Sequence, residues 1–301
     1  MSIDRRRFSL GAALAAAASA GALAAPPILT KRIPATGEAI SALGMGSWLT
    51  FDVGADAAAR AQREEVLGAF FAEGGRLIDS SPMYGSSQSV IGAGLAALGR
   101  HADVFAADKV WTPGGEDGPA QIEATRARWG VGKFDLLQVH NLVDWRRHLE
   151  TLFAMKAAGR LRYVGVTTYG GQRHAEIETI IAREPIDFVQ LTYNIVDREA
   201  EARLLPIAAE RGVAVIANRP FREGGLFSKV AGKRPPSLAD EIGAASWAQF
   251  MLKFAISHPA ITCAIPATRR VDHMKENMGA LSGPVPDDAL RARMAAIFAA
   301  L

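Results

Sequence analysis

The 301-residue sequence has one cysteine, almost no net charge and no long apolar run, and each shortage removes a class of protein. A lone Cys263 excludes an internal disulfide framework and a cysteine-rich metal site. It lies in the apolar stretch Ile261-Thr262-Cys263-Ala264-Ile265, where a thiol behaves as a small buried hydrophobe. Lysine and arginine number 34 against 31 aspartate and glutamate, and a net charge of +3 is too balanced for a nucleic-acid footprint. The Ala-rich stretch 11–25 is shorter than the ~20 residues a spanning helix needs, so no stable membrane span is expected. Six histidines lie scattered without HExxH or comparable ligand spacing, which leaves no metal site. Walker sequences are missing, and Gly44-Met45-Gly46 and Gly92-Ala93-Gly94 both lack the third glycine of a dinucleotide fingerprint. With 49% apolar and 22% charged residues, the chain has the make-up of a soluble globular protein. Its length suits one α/β barrel or two smaller domains.

What is present begins with a distinct N-terminus. Arg5-Arg6-Arg7-Phe8 precedes the Ala-rich stretch, which ends in Ala22-Leu23-Ala24 before Pro26-Pro27. A charged start, a mild apolar middle and small residues at a cleavage point read as an export signal over residues 1–24, outside the fold. Two arginines, one further residue and Phe8 resemble a twin-arginine motif, although Ser9 stands where the full motif has leucine. The expectation is a periplasmic protein carried by the twin-arginine (Tat) translocase. A general secretory signal is the competing reading, and without a signal the protein stays in the cytoplasm. Removing residues 1–24 takes away three arginines and Asp4, so the net charge falls from +3 to +1.

From Lys31 onward a short apolar run, a turn and an amphipathic stretch recur. The apolar runs are 40–45, 76–78, 104–107, 134–139, 162–166, 188–191, 213–217 and 261–265. Helix-like segments lie between them, clearest over 57–72, 145–158, 198–211 and 238–257. Ser87 marks one helix start, and Ser237 with Asp240 three residues on resembles a capping box. Glycine follows several segments (Gly74, Gly99, Gly130, Gly159, Gly212), as a left-handed helix end requires. Runs with little polar alternation, separated by helices, read as parallel strands buried on both faces. Eight such units predict a (β/α)8 TIM barrel over residues 31–301, in one domain and as a monomer. A doubly wound open sheet is the runner-up, but the phosphate loop it needs is missing. Residues 31–40, with a Thr-Gly turn, predict an N-terminal hairpin closing the barrel bottom, and 286–301 an extra C-terminal helix.

In such a barrel, chemistry gathers where strands end at the C-terminal face. Leu77-Ile78-Asp79 ends the second run in a carboxylate, Val104 to Lys109 ends the third near an ammonium, and Leu136 to His140 ends the fourth in an imidazole. Tyr84 follows the carboxylate by five residues. Singly, Asp79 would cap a turn, Lys109 would reach solvent, His140 would sit satisfied in the core and Tyr84 would be a loop aromatic. Together they make a general-acid site for reducing a carbonyl. An ordinary tyrosine has a pKa near ~10, and a buried ammonium nearby should lower it, with Asp79 holding the lysine in place. His140 would orient the carbonyl oxygen beside the Tyr84 hydroxyl.

Asp79, Tyr84, Lys109 and His140, in this order and spacing, resemble the catalytic tetrad of the aldo-keto reductase superfamily. Ile40 to Trp48 looks like the family's first strand, Leu77 to Gly85 like its aspartate-tyrosine signature, and Gly159 to Val166 like its fifth-strand motif. Ile265-Pro266-Ala267-Thr268 with Glu276-Asn277 resembles its nucleotide-binding end. The resemblance implies an NADPH-dependent reductase of a small aldehyde or ketone, with Tyr84 as the acid. It places Gly46, Ser47, Trp48 and Asp79 against the cofactor, and Gln190 with Thr167-Thr168 on the nicotinamide carboxamide, where the family usually has Ser-Asn. Asn218 stands where many members stack a tyrosine. Arg219-Pro220-Phe221 would begin the loop over the pyrophosphate, with Gly224-Gly225 as its hinge. Thr268, Arg269 and His273 would face the adenosine 2′-phosphate, with Arg270 beside them and Glu276 and Asn277 on the adenine. An arginine fork suits a phosphate dianion and favours NADPH over NADH. Taken singly, Arg269 and Arg270 could equally be a solvated helix start. Trp48, Trp111 and Trp145 would wall the substrate pocket, and the sequence does not name the substrate.

Two other functions compete. A binding or regulatory barrel that kept the cofactor but not turnover would have lost a tetrad residue, and none is lost. A barrel hydrolase or lyase would need paired carboxylates or a metal cluster at the rim. Fold alone does not decide among these, and the rim residues do.

Overall fold

Residues 28–301 are described in a computed structural model of the chain; the export signal expected over residues 1–24 lies outside them. The described chain opens with a hairpin, β1 (Thr30–Arg32) antiparallel to β2 (Ala39–Ser41), as expected for the barrel bottom. Its turn closes through Gly37, which takes a left-handed φ of 75° and whose N–H donates to Ile33 O at 2.7 Å. Ile33 and Ile40 bury into one cluster with Leu77, Phe105, Leu136, Tyr163 and Phe188, so the hairpin plugs the lower barrel. Glu38 in the turn pairs with Arg162 and accepts from the Tyr163 hydroxyl at 2.7 Å, fastening the plug.

Above it, strands and helices alternate. β3 (Met45–Gly46) leads to α1 (Ala57–Ala72), β4 (Leu77–Asp79) to α2 (Ser87–Leu98), and β5 (Phe105–Val110) to α3 (Gly118–Trp129). β6 (Phe134–Val139) precedes α4 (Trp145–Ala157), β7 (Leu161–Thr167) precedes α5 (His174–Arg183), and β8 (Phe188–Thr192) precedes α6 (Leu204–Arg211). β9 (Ala214–Asn218) is followed by α7 (Phe227–Val230), α8 (Leu238–Glu241) and α9 (Trp247–Ser257). β10 (Ile261–Ala264), α10 (Val271–Gly279) and α11 (Asp288–Ala299) complete the chain. The eight strands β3 to β10 are parallel and neighbour one another in chain order. This is the predicted (β/α)8 barrel with its hairpin and C-terminal helix.

The ring closes between β10 and β3 through a parallel bridge from Leu43 to Ala264, with Gly44 N donating to Ala264 O and Gly46 N to Pro266 O. Close approach explains both glycines. A Cβ at Gly44 would lie 2.7 Å from Leu77 O, and one at Gly46 would lie 2.9 Å from Ile265 O.

Several elements differ from the sequence expectation. The run 40–45 divides, since Ile40 and Ser41 pair into the hairpin while Met45, with Gly46, pairs with β4 in the barrel. The stretch 198–211 breaks at Arg203, whose φ of −140° and ψ of −49° separate a 3-10 turn from α6. The stretch 238–257 breaks at Gly243 (φ 64°), after which Ser246 caps α9 by accepting from Gln249 N. Ser237 is itself helical and makes no capping bond, so the apparent capping box is not one. α11 packs Phe298 edge-on against Trp247 of α9. Among the described residues, no helix is long and apolar enough to cross a membrane.

Candidate active site

The upper ends of β4, β5 and β6 bring three ionisable groups together. Asp79 is the last residue of β4, whereas Lys109 lies inside β5, in register with Gln138 of β6, so its side chain points into the barrel. Both are buried, and Lys109 Nζ reaches Asp79 Oδ2 at 2.5 Å and Ser80 O at 2.7 Å. The other carboxylate oxygen accepts from Gln190 Nε2 at 2.8 Å and from Gln138 Nε2 at 3.3 Å. A buried ion pair holds only when its remaining lone pairs are filled in this way. Burial by itself would lower the pKa of Lys109, but Asp79, Tyr84 and Asp108 together raise it, so the ammonium stays charged.

Tyr84 is brought back over this pair by a turn in which its N–H donates to Ser81 O. The ammonium of Lys109 lies 5.0 Å from the centre of the Tyr84 ring, and Trp48 leans on the same ring at 4.9 Å. Here the structure corrects the expected sign. Burial raises the phenol above its ordinary pKa, and Lys109 opposes this without overcoming it. Tyr84 in the free protein is therefore a neutral phenol that carries its proton.

His140 sits edge-on to Tyr84, with ring centres 5.6 Å apart. Burial, and then the positive charge of Lys109, hold its pKa well below the ordinary histidine value, so it is neutral at pH 7. Ser81 Oγ accepts from Met83 N and lies 2.7 Å from His140 Nδ1, a hydrogen bond that fixes the orientation of the ring and keeps Nε2 free of it.

Asp79, Tyr84 and His140 line the floor of a cavity of about 700 Å³, with Lys109 buried behind them. One wall runs from Gly46, Ser47 and Trp48 to Thr268, Arg269, Arg270 and His273. The opposite wall carries Thr167, Thr168, Gln190 and Asn218, then Arg219, Pro220 and Phe221. The upper strand ends are cross-linked. Asn218 Nδ2 donates to Thr168 O at 2.8 Å while its Oδ1 accepts from Thr192, and Ser47 Oγ donates to Asp79 O. Asn218 thus serves as a strap across three strand ends. Thr168 Oγ1 donates to Gln172 O, and Thr167 Oγ1 accepts from Asn141 N, so both hydroxyls have partners within the protein.

Four expected residues stand off this wall. Trp145 is buried at the start of α4, with its indole donating to Glu176 at 2.6 Å. Trp111 is part-exposed on a loop whose backbone is held from both sides by Gln121. Asn277 is buried in α10, and Glu276 beside it offers its carbonyl to Gln249. The apolar mouth is made instead by Trp48, Leu49, Met83, Tyr169 and Phe227. Sequence reading missed Tyr169 and Phe227. Their signals were their places, directly after a strand-end threonine pair and just beyond the Gly224-Gly225 hinge.

Comparison with known proteins identifies the family and the fold. A model of the aldo/keto reductase family matches residues 42–296. Methylglyoxal reductase YeaE of Escherichia coli is 29% identical over 255 residues, which span 80% of this chain and 86% of that protein. Aldo-keto reductase YhdN of Bacillus subtilis is 26% identical over 210 residues, 65% of this chain and 62% of that one. Among solved structures, the thermostable aldo-keto reductase Tm1743 with the inhibitor epalrestat superposes with a TM-score of 0.74 at 26% identity, covering 90% of this chain and 100% of that one. An aldo/keto reductase from Klebsiella pneumoniae in complex with NADP and acetate has a TM-score of 0.72 at 23% identity, covering 87% and 93%, and speaks for the fold.

Proposed function

This chain belongs to the aldo/keto reductase family, and from that premise we propose that it reduces an aldehyde or ketone to an alcohol with NADPH. The observation that carries the reading is the buried Lys109–Asp79 pair beneath Tyr84, at the floor of a cavity whose far end is cationic. The residues present fit the cofactor. Arg269 offers positive charge and His273 a ring nitrogen for a phosphate dianion, Arg270 on the same wall is held by Asp272, and Arg219 lines the wall between them and the floor. A structural relative, the Klebsiella enzyme, was solved with NADP, which agrees with this choice.

When bound, the reduced nicotinamide supplies the hydride for the carbonyl carbon. Tyr84 donates its proton to the carbonyl oxygen, and the charge left on the phenolate is met by Lys109, which Asp79 holds in place. The Nε2–H of His140 orients the same oxygen. A neutral imidazole can do this without taking the proton itself.

Fluorescence titration with NADPH and NADH, followed by turnover with a small aldehyde, tests the reading. NADPH should bind more tightly, and Tyr84→Phe should lose carbonyl-dependent NADPH oxidation while binding NADPH as wild type does. Turnover close to wild type in Tyr84→Phe would reassign the acid, and tighter NADH binding would reverse the cofactor choice.

Export in the folded state belongs to the same proposal, motivated by Arg5-Arg6 before the Ala-rich segment. A route that moves folded proteins suits an enzyme that must carry its nucleotide with it. Replacing Arg5 and Arg6 together by lysine should keep the precursor in the cytoplasm; arrival in the periplasm would favour a general secretory signal. The barrel should run as a monomer, at single-chain mass in light scattering.

A further inference from the structure

The segment linking β9 to α7 forms one wall of the cavity and has an unusual backbone. Arg219, Arg222 and Glu223 all adopt left-handed φ values (52°, 48° and 57°), followed by Gly224 at 90°. Residues with a Cβ avoid this region unless their surroundings hold them there. The anchors are visible. Phe221 is buried against Phe227 with ring centres 5.0 Å apart, Arg222 Nε donates to Asp197 at 2.7 Å, and Asn194 Nδ2 donates to Arg219 O at 3.0 Å.

The two arginines are used differently. Arg222 turns to Asp197, away from the cavity, whereas Arg219 faces the cavity and pairs with Glu223, also on the wall, at 3.0 Å. Among the described residues, the cavity wall carries two carboxylates, Asp79 and Glu223. Asp79 is committed to Lys109, so Glu223 is the acid that a polyanion entering the cavity would meet. A carboxylate there repels phosphate, and its one favourable partner is the guanidinium that phosphate would also seek.

We propose that Glu223 is a built-in stand-in for a phosphate of the dinucleotide. It holds Arg219 aimed across the cavity in the free protein, yields it when phosphate arrives, and recaptures it as the nucleotide leaves. The exchange is cheap because the pair is partly exposed, with side chains 31% and 43% accessible, and such pairs are weak and screened. Phosphate wins it because the phosphate groups carry more charge than the single carboxylate and take equally good charge-assisted hydrogen bonds from the guanidinium. The part-exposed Glu223 side chain can turn about its own torsions, so the carboxylate swings aside without moving the anchored residues. Glu223 thereby sets how fast the nucleotide is released, a role that rests on the NADPH reading.

The test uses the purified full chain, with NADPH affinity from fluorescence titration and release from stopped-flow displacement. Glu223→Gln should bind NADPH about two- to fivefold more tightly, the worth of one exposed pair, mostly through slower release. Glu223→Ala should do the same, and the gain should shrink in an Arg219→Met background. Weaker or unchanged binding in Glu223→Gln and Glu223→Ala would mean that Glu223 only buttresses the loop, and the inference falls while the cofactor reading stands. A wild-type protein that binds no NADPH overturns both.

Discussion

Lys109 has no exposed surface, and everything its ammonium touches belongs to β4 and the turn that follows. Removing it leaves Asp79 buried and charged with only two amide donors. Lys109→Met should therefore lose activity and also about 3–5 kcal/mol of stability, read by urea unfolding, as for any broken buried pair. Combining it with Asp79→Leu should recover most of the stability and none of the activity. A Lys109→Met single variant as stable as wild type would mean that the pair is not held as described. The two perturbed side chains above it set the pH behaviour. The phenol of Tyr84 is raised and the imidazole of His140 depressed, so both keep one protonation state through neutral pH. The kcat/KM for reduction should show no inflection near the usual histidine value of about 6.5, and should fall only above the ordinary tyrosine value of about 10. A bell centred at neutral pH would contradict this. That these four residues come together could be read from the sequence because strand ends converge in a barrel. The direction of the Tyr84 shift could not, because it depends on burial under a ring from another strand. Trp145 was misplaced for a similar reason, as the carboxylate that holds its indole is Glu176, on the next helix.

At the scale of elements, continuous apolar periodicity concealed breaks that are settled by a few backbone angles. α9 begins at Ser246 because that hydroxyl accepts from Gln249 N, while Ser237, with the more persuasive sequence pattern, caps nothing. Ser246→Ala should cost about 1 kcal/mol in thermal or urea unfolding. Ser237→Ala should change little, and equal losses would restore the capping box. The strands were more legible than the helices. Residues 134–139 form β6 with the expected limits, since a run buried on both faces has no alternative pattern to follow. The first apolar run was misjudged because its first two residues pair with Thr30–Arg32, a polar and part-exposed strand that no hydrophobic pattern announces.

For the whole molecule, the point of least tolerance is the seam. β3 contributes two residues, and the bridge at Leu43 depends on a backbone with no room for a side chain. Gly44→Ala should cost about 1–3 kcal/mol by forcing Leu77 and its carbonyl away, which a lower urea midpoint would report. An unchanged midpoint would show that the ring closes more loosely. The seam also separates two portions of the chain with different duties. Asp79, Tyr84, Lys109 and His140 all come from the first half, whereas Arg219, Arg269, Arg270 and His273 come from the second, and Gln190 reaches back across 111 positions to Asp79. A molecule long enough to touch both groups would act as a staple between the halves, holding shut a ring that the backbone alone closes sparingly. Its grip would then be paid back as heat resistance: at a hundredfold excess over Kd, NADPH should add about 2.7 kcal/mol to unfolding, visible as a rise in melting temperature.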